Sequence, residues 1–171
     1  MPHVAGRLPG GIKSSPLARL LRRVGRAAAK GVSLGVFLRR PKRVLNAIQA
    51  RRNRRVLIVE DDGVLSAVMR ETLRDDGYDA DVAPDGAAAL EVARDQPPDL
   101  ILVDLQLPLI DGPSFVERYR RAVTTAVNIL VVSARADAQE IAQSIGADAY
   151  LAKPFERDDL LTAVEWSLTA R

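Results

Sequence analysis

The 171-residue sequence contains no cysteine and a single histidine. Without thiols it forms neither a disulfide framework nor a thiolate metal site, and one histidine excludes a histidine-rich zinc site. No apolar run approaches the roughly eighteen residues of a membrane span, and the early basic stretch lacks the features of a secretory signal. These absences favour a cytoplasmic protein that does not span a membrane, with peripheral attachment to a membrane surface left open.

Acidic residues are absent from residues 1–55, which contain fifteen of the twenty-five Lys and Arg residues. Residues 56–171 contain all twenty-two acidic residues against ten basic ones, a net charge of −12. This division predicts a basic N-terminal extension over residues 1–53, amphipathic and partly helical or disordered. A globular domain is predicted over residues 54–171.

The basic extension has an apolar stripe at helical spacing, formed by Leu17, Leu20, Leu21, Val24 and Ala28. Four interpretations stay open for residues 1–55. These residues would bind an anionic membrane surface, bind nucleic-acid phosphates, or fold onto the acidic domain or a partner. In the fourth interpretation they are a disordered tail or an over-long predicted start of the chain. No helix-turn-helix or other DNA-reading motif is present.

Five short apolar runs alternate with amphipathic stretches after Arg55, which is typical of alternating strands and helices. The predicted strands are RVLIV (55–59), DADVA (79–83), DLILV (99–103), VNILVV (127–132) and AYLA (149–152). Right-handed crossovers then give an α/β fold, a doubly wound five-stranded parallel sheet with five helices. The last strand has the composition of a buried strand, and a tyrosine there is usually packed in a core.

The predicted helices have recognisable ends. The first contains Val64, Val68 and Leu73, with Met69 and Thr72, near helical spacing. The second and third begin at Asp85-Gly86 and Asp111-Gly112, which are interpreted as structural turns. The fourth ends at Gly146. The fifth follows Pro154, with a buried stripe at Leu160, Leu161, Val164 and Leu168. Trp166 falls opposite that stripe and is expected to face solvent as a candidate partner contact.

Polar residues follow four of the predicted strands, and in an open parallel sheet these strand ends form the ligand-binding edge. They are Glu60, Asp61, Asp62, Asp104, Ser133 and Lys153. Clustered carboxylates repel one another by roughly 4 kcal/mol per close pair at an effective dielectric near 20, so the site requires a cation. Mg²⁺ suits a few carboxylates together with phosphate oxygens. Asp62 is interpreted as an outer residue of the site or a helix cap.

These residues resemble the receiver domains of bacterial response regulators over about residues 54–170. The resemblance lies in VLIVEDD (56–62), LILVDLQLPLIDG (100–112), SA (133–134) and GADAYLAKPF (146–155). It implies a flavodoxin-like receiver fold and a role in two-component phosphorelay signalling. The interval between Ser133 and Lys153 is about half a helical turn shorter than expected of the family, in the fourth helix.

The resemblance also implies the role of each site residue. Asp104 would be the phospho-acceptor of a sensor histidine kinase or histidine phosphotransfer protein. Mg²⁺ would be held by Glu60, Asp61, Asp104 and the backbone carbonyl of Gln106, where an apolar residue is more usual. Ser133 and Lys153 would contact the phosphoryl oxygens, Ser133 and Tyr150 would form the switch, and the Lys153-Pro154 peptide would be cis.

The sequence therefore predicts a phospho-accepting receiver that signals to a downstream protein by contact, without a C-terminal output domain. It is expected not to be an enzyme, apart from assisting its own aspartyl phosphorylation and dephosphorylation. A homodimer through the fourth and fifth helices is a further partner hypothesis. The alternatives are a phosphorylation-independent pseudo-receiver adaptor, or an adaptor whose basic extension binds membrane or nucleic acid.

Overall fold

The computed structural model describes residues 54–123 and 126–169. The predicted extension over residues 1–53 lies outside this range, so its interpretations and the domain boundary stay predictions. The strands are β1 (Arg55–Val59), β2 (Asp79–Ala83), β3 (Leu100–Val103), β4 (Asn128–Ser133) and β5 (Ala149–Ala152). The helices are α1 (Gly63–Asp75), α2 (Gly86–Asp95), α3 (Gly112–Ala122), α4 (Ala138–Ser144) and α5 (Arg157–Thr169).

The five strands form one parallel sheet in the order β2-β1-β3-β4-β5. This confirms the predicted fold, and three strands have the predicted bounds. β3 begins one residue later than predicted, at Leu100, and the Asp99 carboxylate before it accepts the backbone N–H of Arg55. β4 is shifted by one residue relative to the prediction, because it begins at Asn128 and ends at Ser133, which still pairs with Ala152 of β5. Across the described residues, no helix is long and apolar enough to cross a bilayer.

The sheet has a hydrophobic core on each face. Leu57 and Val59 of β1 lie in one core, with Phe115 of α3, while Val56 and Ile58 lie in the other. Because successive strand residues point to opposite faces, a strand covered on both sides needs an uninterrupted aliphatic run. β1, β3 and β4 have such runs and form the buried centre of the sheet.

The buried face of α1 agrees with the predicted one at Met69, Thr72 and Leu73 and differs from it at Val64 and Val68. Val64 and Val68 are 77% and 55% exposed, whereas Met69 and Leu73 are buried together with Ser66 and Thr72. At about 100° per residue, the two valines lie roughly 140° around the helix from Met69 and Leu73. The sequence prediction had combined two different faces of one helix, so two apolar side chains remain on the solvent side.

The predicted stripe of α5 is confirmed. Leu160, Leu161 and Val164 are buried, and Leu168 packs against the same core. Trp166 is 66% exposed on the other side of the helix, as its helical phase predicted. A partner contact at Trp166 stays a prediction.

Three aspartates cap the helices that begin near the carboxyl edge of the sheet. Asp62 accepts hydrogen bonds from the backbone N–H groups of Val64 and Leu65, and the same bonds lower its pKa. Asp85 and Asp111 cap α2 and α3 in the same way. The structural interpretation of the two Asp-Gly pairs and the capping interpretation of Asp62 are therefore confirmed.

Helix α4 has seven residues and lacks a side-chain hydrogen bond at its N-cap, Asp137. At its other end, the guanidinium of Arg120 on α3 donates to the carbonyl oxygens of Ile145 and Gly146. The cationic side chain thus satisfies carbonyls that a helix end leaves without a helical partner. Arg120 therefore links α3 to the C-terminal end of α4.

Removing the Asp111 cap should destabilise the domain in a pH-dependent way. Hydrogen bonds from the Ser114 side chain and backbone hold the pKa of Asp111 below its usual 3.8. At pH 7, Asp111→Ala should lower the free energy of unfolding by roughly 1 kcal/mol, and Asp111→Asn by less. Because the folded-state pKa is depressed, this contribution is present above pH 3.8 and is lost as the pH falls through the folded-state pKa. Urea unfolding of wild type and Asp111→Ala across this pH range measures the contribution. A difference in unfolding free energy that does not change with pH would contradict the capping role.

Candidate phospho-acceptor and metal site

Four neighbouring strands of the sheet place the predicted site residues at its carboxyl edge. Glu60 follows β1, Asp104 follows β3, Ser133 ends β4, and Lys153 follows β5. These strands are neighbours in the order β1-β3-β4-β5, so their carboxyl ends lie side by side. The fold therefore brings together groups that are up to 93 residues apart in sequence.

Glu60, Asp61 and Asp104 form a cluster of carboxylates. One oxygen from each lies within 4.8 Å of the others. Glu60 and Asp104 are buried, while Asp61 is exposed at the rim. Negative charges at this separation repel one another, so nearby positive charge stabilises the ionised cluster.

Lys153 supplies positive charge to this cluster. Its Nζ donates to Glu60 Oε2 and to Asp104 Oδ2, each at 2.6 Å. Burial opposes the charge of Lys153, but the hydrogen bonds to the two carboxylates outweigh burial and raise its pKa. The predicted cis peptide between Lys153 and Pro154 is present directly after this residue.

The pKa of Glu60 is raised despite its ion pair with Lys153. Burial is the main cause, the negative charge of Asp104 adds to it, and the hydrogen bond from Lys153 acts in the opposite direction. A salt bridge alone would lower the pKa of a glutamate, so burial dominates here. The ammonium of Lys153 therefore does not fully offset the effect of burial on the Glu60 carboxylate.

Backbone groups fix the orientation of Asp104. Its Oδ1 accepts the N–H of Gln106 at 3.1 Å, and its own N–H donates to the Val59 carbonyl at 3.0 Å. The Gln106 side chain is exposed, so its backbone is the part that contacts the acceptor. Ser133 is buried beside this edge, and its Oγ accepts the N–H of Arg135 at 3.5 Å. The metal role predicted for the Gln106 carbonyl stays a prediction.

Tyr150 lies on β5, which is an edge strand rather than a buried one. Its side chain is 41% exposed, and the strand alternates between half-buried and exposed residues. The sequence-based expectation of a buried strand is therefore wrong, because no further strand covers β5 in the five-stranded sheet. An exposed tyrosine on the strand that pairs with β4 is compatible with the predicted switch, which stays a prediction.

Two glycines allow a close backbone approach at the site that their sequence pattern does not reveal. A Cβ on Gly112 would overlap the carbonyl oxygen of Asp104 and approach Leu105 Cα to 2.9 Å. A Cβ on Gly86 would lie 2.8 Å from the Ile110 carbonyl oxygen. The Asp-Gly pairs were predicted as turns, but the glycines also allow the loop after Asp104 to close against the acceptor and α2.

The donor set fits a hard divalent cation. Carboxylate oxygens from Glu60, Asp61 and Asp104 are the ligands that Mg²⁺ prefers, and few of them are needed. Within the described part of the chain, these three residues form the candidate metal cluster. The geometry joins a candidate cation site to an oriented carboxylate, that of Asp104, and to the ammonium of Lys153.

Comparisons with known proteins place the chain in one family. A family model, the response regulator receiver domain, matches residues 56–165, and the chain belongs to this family. The sequence is 35% identical over 117 residues to the transcriptional regulatory protein PdtaR of Mycobacterium tuberculosis, covering 68% of this chain and 57% of that protein. It is 38% identical over 113 residues to the transcriptional regulator RpaA of Synechocystis, covering 64% of this chain and 47% of RpaA. The chain thus spans about half the length of these relatives.

Solved receiver structures have the same fold. A response regulator structure from Chloroflexus aurantiacus aligns with a TM-score of 0.64 and 36% identity, over 69% of this chain and 98% of that one. The receiver domain of sensor histidine kinase PA1611 from Pseudomonas aeruginosa has a magnesium ion coordinated in its active-site cleft. It aligns with a TM-score of 0.60 and 34% identity, over 67% of this chain and 97% of that one.

Gly112→Ala should displace the backbone of the acceptor. The new methyl group would overlap the Asp104 carbonyl, and overpacking of this kind costs about 1–3 kcal/mol. Urea unfolding and the amide NMR shifts of Leu105 and Gln106 measure the effect. Gly63→Ala is the matched control, because a Cβ there meets nothing within 4 Å. Equal effects of the two substitutions would contradict the close-approach role of Gly112.

Proposed function

We propose that Asp104 accepts a phosphoryl group from a phosphohistidine in a Mg²⁺-dependent reaction. The donor would be a sensor histidine kinase or a histidine phosphotransfer protein, the partner class with which receiver domains interact. The observation that best supports the proposal is the ion-paired cluster, in which Lys153 binds Asp104 and Glu60 at 2.6 Å beside Asp61. A solvated acidic surface would need neither the buried carboxylates nor the shared ammonium.

The proposed transfer is a displacement at phosphorus. A carboxylate oxygen of Asp104 forms the new P–O bond, the P–N bond to the donor imidazole breaks, and the imidazole keeps the bonding electrons and takes up a proton. Mg²⁺ supplies positive charge to the phosphoryl oxygens when it is bound. Lys153 binds the same oxygens, and the Gln106 N–H orients the carboxylate. Ser133 Oγ is the hydroxyl that would hydrogen-bond the phosphoryl group.

The proposed output is a change of protein contacts. Phosphorylation adds nearly two negative charges at Asp104. Ser133 would move toward this charge, Tyr150 would turn inward from its exposed position, and the surface of α4, β5 and α5 would change shape. A downstream protein, or a second copy through α4 and α5, would bind this surface. The domain would act on no other substrate, and assist only its own phosphorylation and dephosphorylation.

Incubation with acetyl phosphate, followed by intact-mass measurement, tests the chemistry. The wild-type chain should gain one phosphate-sized mass increment in the presence of Mg²⁺ and none in the presence of EDTA. Asp104→Asn should abolish the gain. Asp62→Asn is the matched control, because it neutralises a neighbouring aspartate that caps α1, and labelling should persist.

The alternative function gives a different outcome in the same experiment. A pseudo-receiver adaptor would show no mass gain under conditions in which a control receiver domain is labelled. A gain that survives in Asp104→Asn would instead place the modification on another residue. Either result would overturn the proposed function.

Mg²⁺ should stabilise the folded chain against heat. A ligand that binds only the folded state at a hundred times its dissociation constant contributes about 2.7 kcal/mol. Asp61→Asn removes an exposed carboxylate of the cluster and should abolish most of this gain. Glu71→Gln on the exposed face of α1 is the charge-matched control and should keep it. Differential scanning calorimetry with and without MgCl₂ measures the effect. An equal MgCl₂-induced rise in melting temperature in both variants would contradict the assigned metal site.

A further inference from the structure

The loop after the acceptor contains an energetically unfavourable turn. The carbonyl of Pro108 accepts the N–H of Ile110 at 2.7 Å, and Leu109 between them has a φ of 65°. This is a γ-turn with positive φ at its central residue, a rare and strained form. Among residues 54–123 and 126–169, Leu109 is the one non-glycine residue with positive φ. Glycine or asparagine would adopt this conformation more easily.

Burial does not compensate for the strain at Leu109. Its side chain is 86% exposed, whereas its apolar neighbours Leu107 and Ile110 pack against the core. The turn therefore directs one leucine into solvent while the loop directs the others inward. Neither backbone preference nor packing within this domain accounts for a leucine at position 109.

The position of the turn is fixed relative to the acceptor. Gly112 closes the loop against the Asp104 carbonyl, and its N–H donates to the Leu105 carbonyl at 3.2 Å. Ile110 is held against α2 by its close approach to Gly86. Leu109 is thus presented from a loop that is held at both Asp104 and α2.

A second exposed apolar group lies at the same edge. Val64 and Val68 are one turn apart on α1, which begins directly after Asp61 and Asp62. β1 and β3 are neighbours, so the segments that follow them meet at the carboxyl edge of the sheet. Asp104 is only 7% exposed between these segments. A protein that brings a phosphohistidine to this recessed carboxylate must therefore contact the surrounding loops.

From this arrangement the geometry points to Leu109 as a contact residue for the phosphohistidine-bearing donor protein, with the strained turn holding its side chain outward. The inference rests on the proposed function and adds a specificity determinant to it. The donor surface would present an apolar patch around its histidine to receive Leu109. A small phosphodonor enters the site without such a patch, so its reaction would not use Leu109.

The test compares Leu109→Asn and Leu109→Gly with Leu109→Met in the full chain. The probes are acetyl phosphate and the purified, ATP-autophosphorylated histidine kinases of the source organism. With the most active kinase, Leu109→Asn and Leu109→Gly should slow phosphotransfer about tenfold. The acetyl phosphate rate should stay at the wild-type value, and the melting temperature should stay the same or rise as the turn strain is relieved. Leu109→Met keeps an apolar side chain and should transfer like wild type.

Each contrary outcome has a defined meaning. Unchanged transfer from the kinase in Leu109→Asn would overturn the inference, and so would an equal fall in the kinase and acetyl phosphate rates. Labelling of wild type by acetyl phosphate but by no kinase would also count against it, because the proposed contact would then have no donor. Labelling by neither would overturn the proposed function itself.

Discussion

The shared ion pair of Lys153 with Asp104 and Glu60 is the interaction on which the site depends. Two carboxylates in a buried setting would otherwise protonate or separate, since each close pair of like charges costs roughly 4 kcal/mol at an effective dielectric near 20. Burial raises the pKa of Glu60 in spite of this ion pair, so Lys153 alone does not offset the effect of burial on that carboxylate. Additional positive charge at this edge would further stabilise the ionised carboxylates.

The backbone around this ion pair provides the geometry. β5 ends at Ala152, so Lys153 lies beside the ends of β3 and β4, and its N–H donates to the Ser133 carbonyl at 3.0 Å. Gly112 lets α3 begin against the acceptor, where a side chain would force the two apart. The carboxylate cluster and the ammonium are therefore positioned by regular strands and a helix end. Such placement favours pre-organised binding of a phosphoryl group.

Much of this arrangement follows from the sequence because its causes are local or periodic. Continuous aliphatic runs defined the central strands, and Asp-Gly pairs defined two helix starts. The contacts that were missed depend on three-dimensional packing. Val64 and Val68 are exposed because the other face of α1 packs against the sheet. Tyr150 is exposed because β5 is an edge strand. The strain at Leu109 was also invisible, since a leucine in a loop gives no sign of its φ angle.

A crystal structure of the full chain with Mg²⁺ and beryllium fluoride, a mimic of the phosphoryl group, tests the central claim most directly. The account predicts a beryllofluoride on the Asp104 carboxylate, with Lys153 Nζ and Ser133 Oγ in hydrogen-bond contact with its fluorines. It also predicts a metal ion bound by Asp61 and Asp104. An acceptor carboxylate left unmodified at saturating beryllofluoride, with Lys153 still paired to Glu60 and Asp104, would contradict the phospho-acceptor assignment.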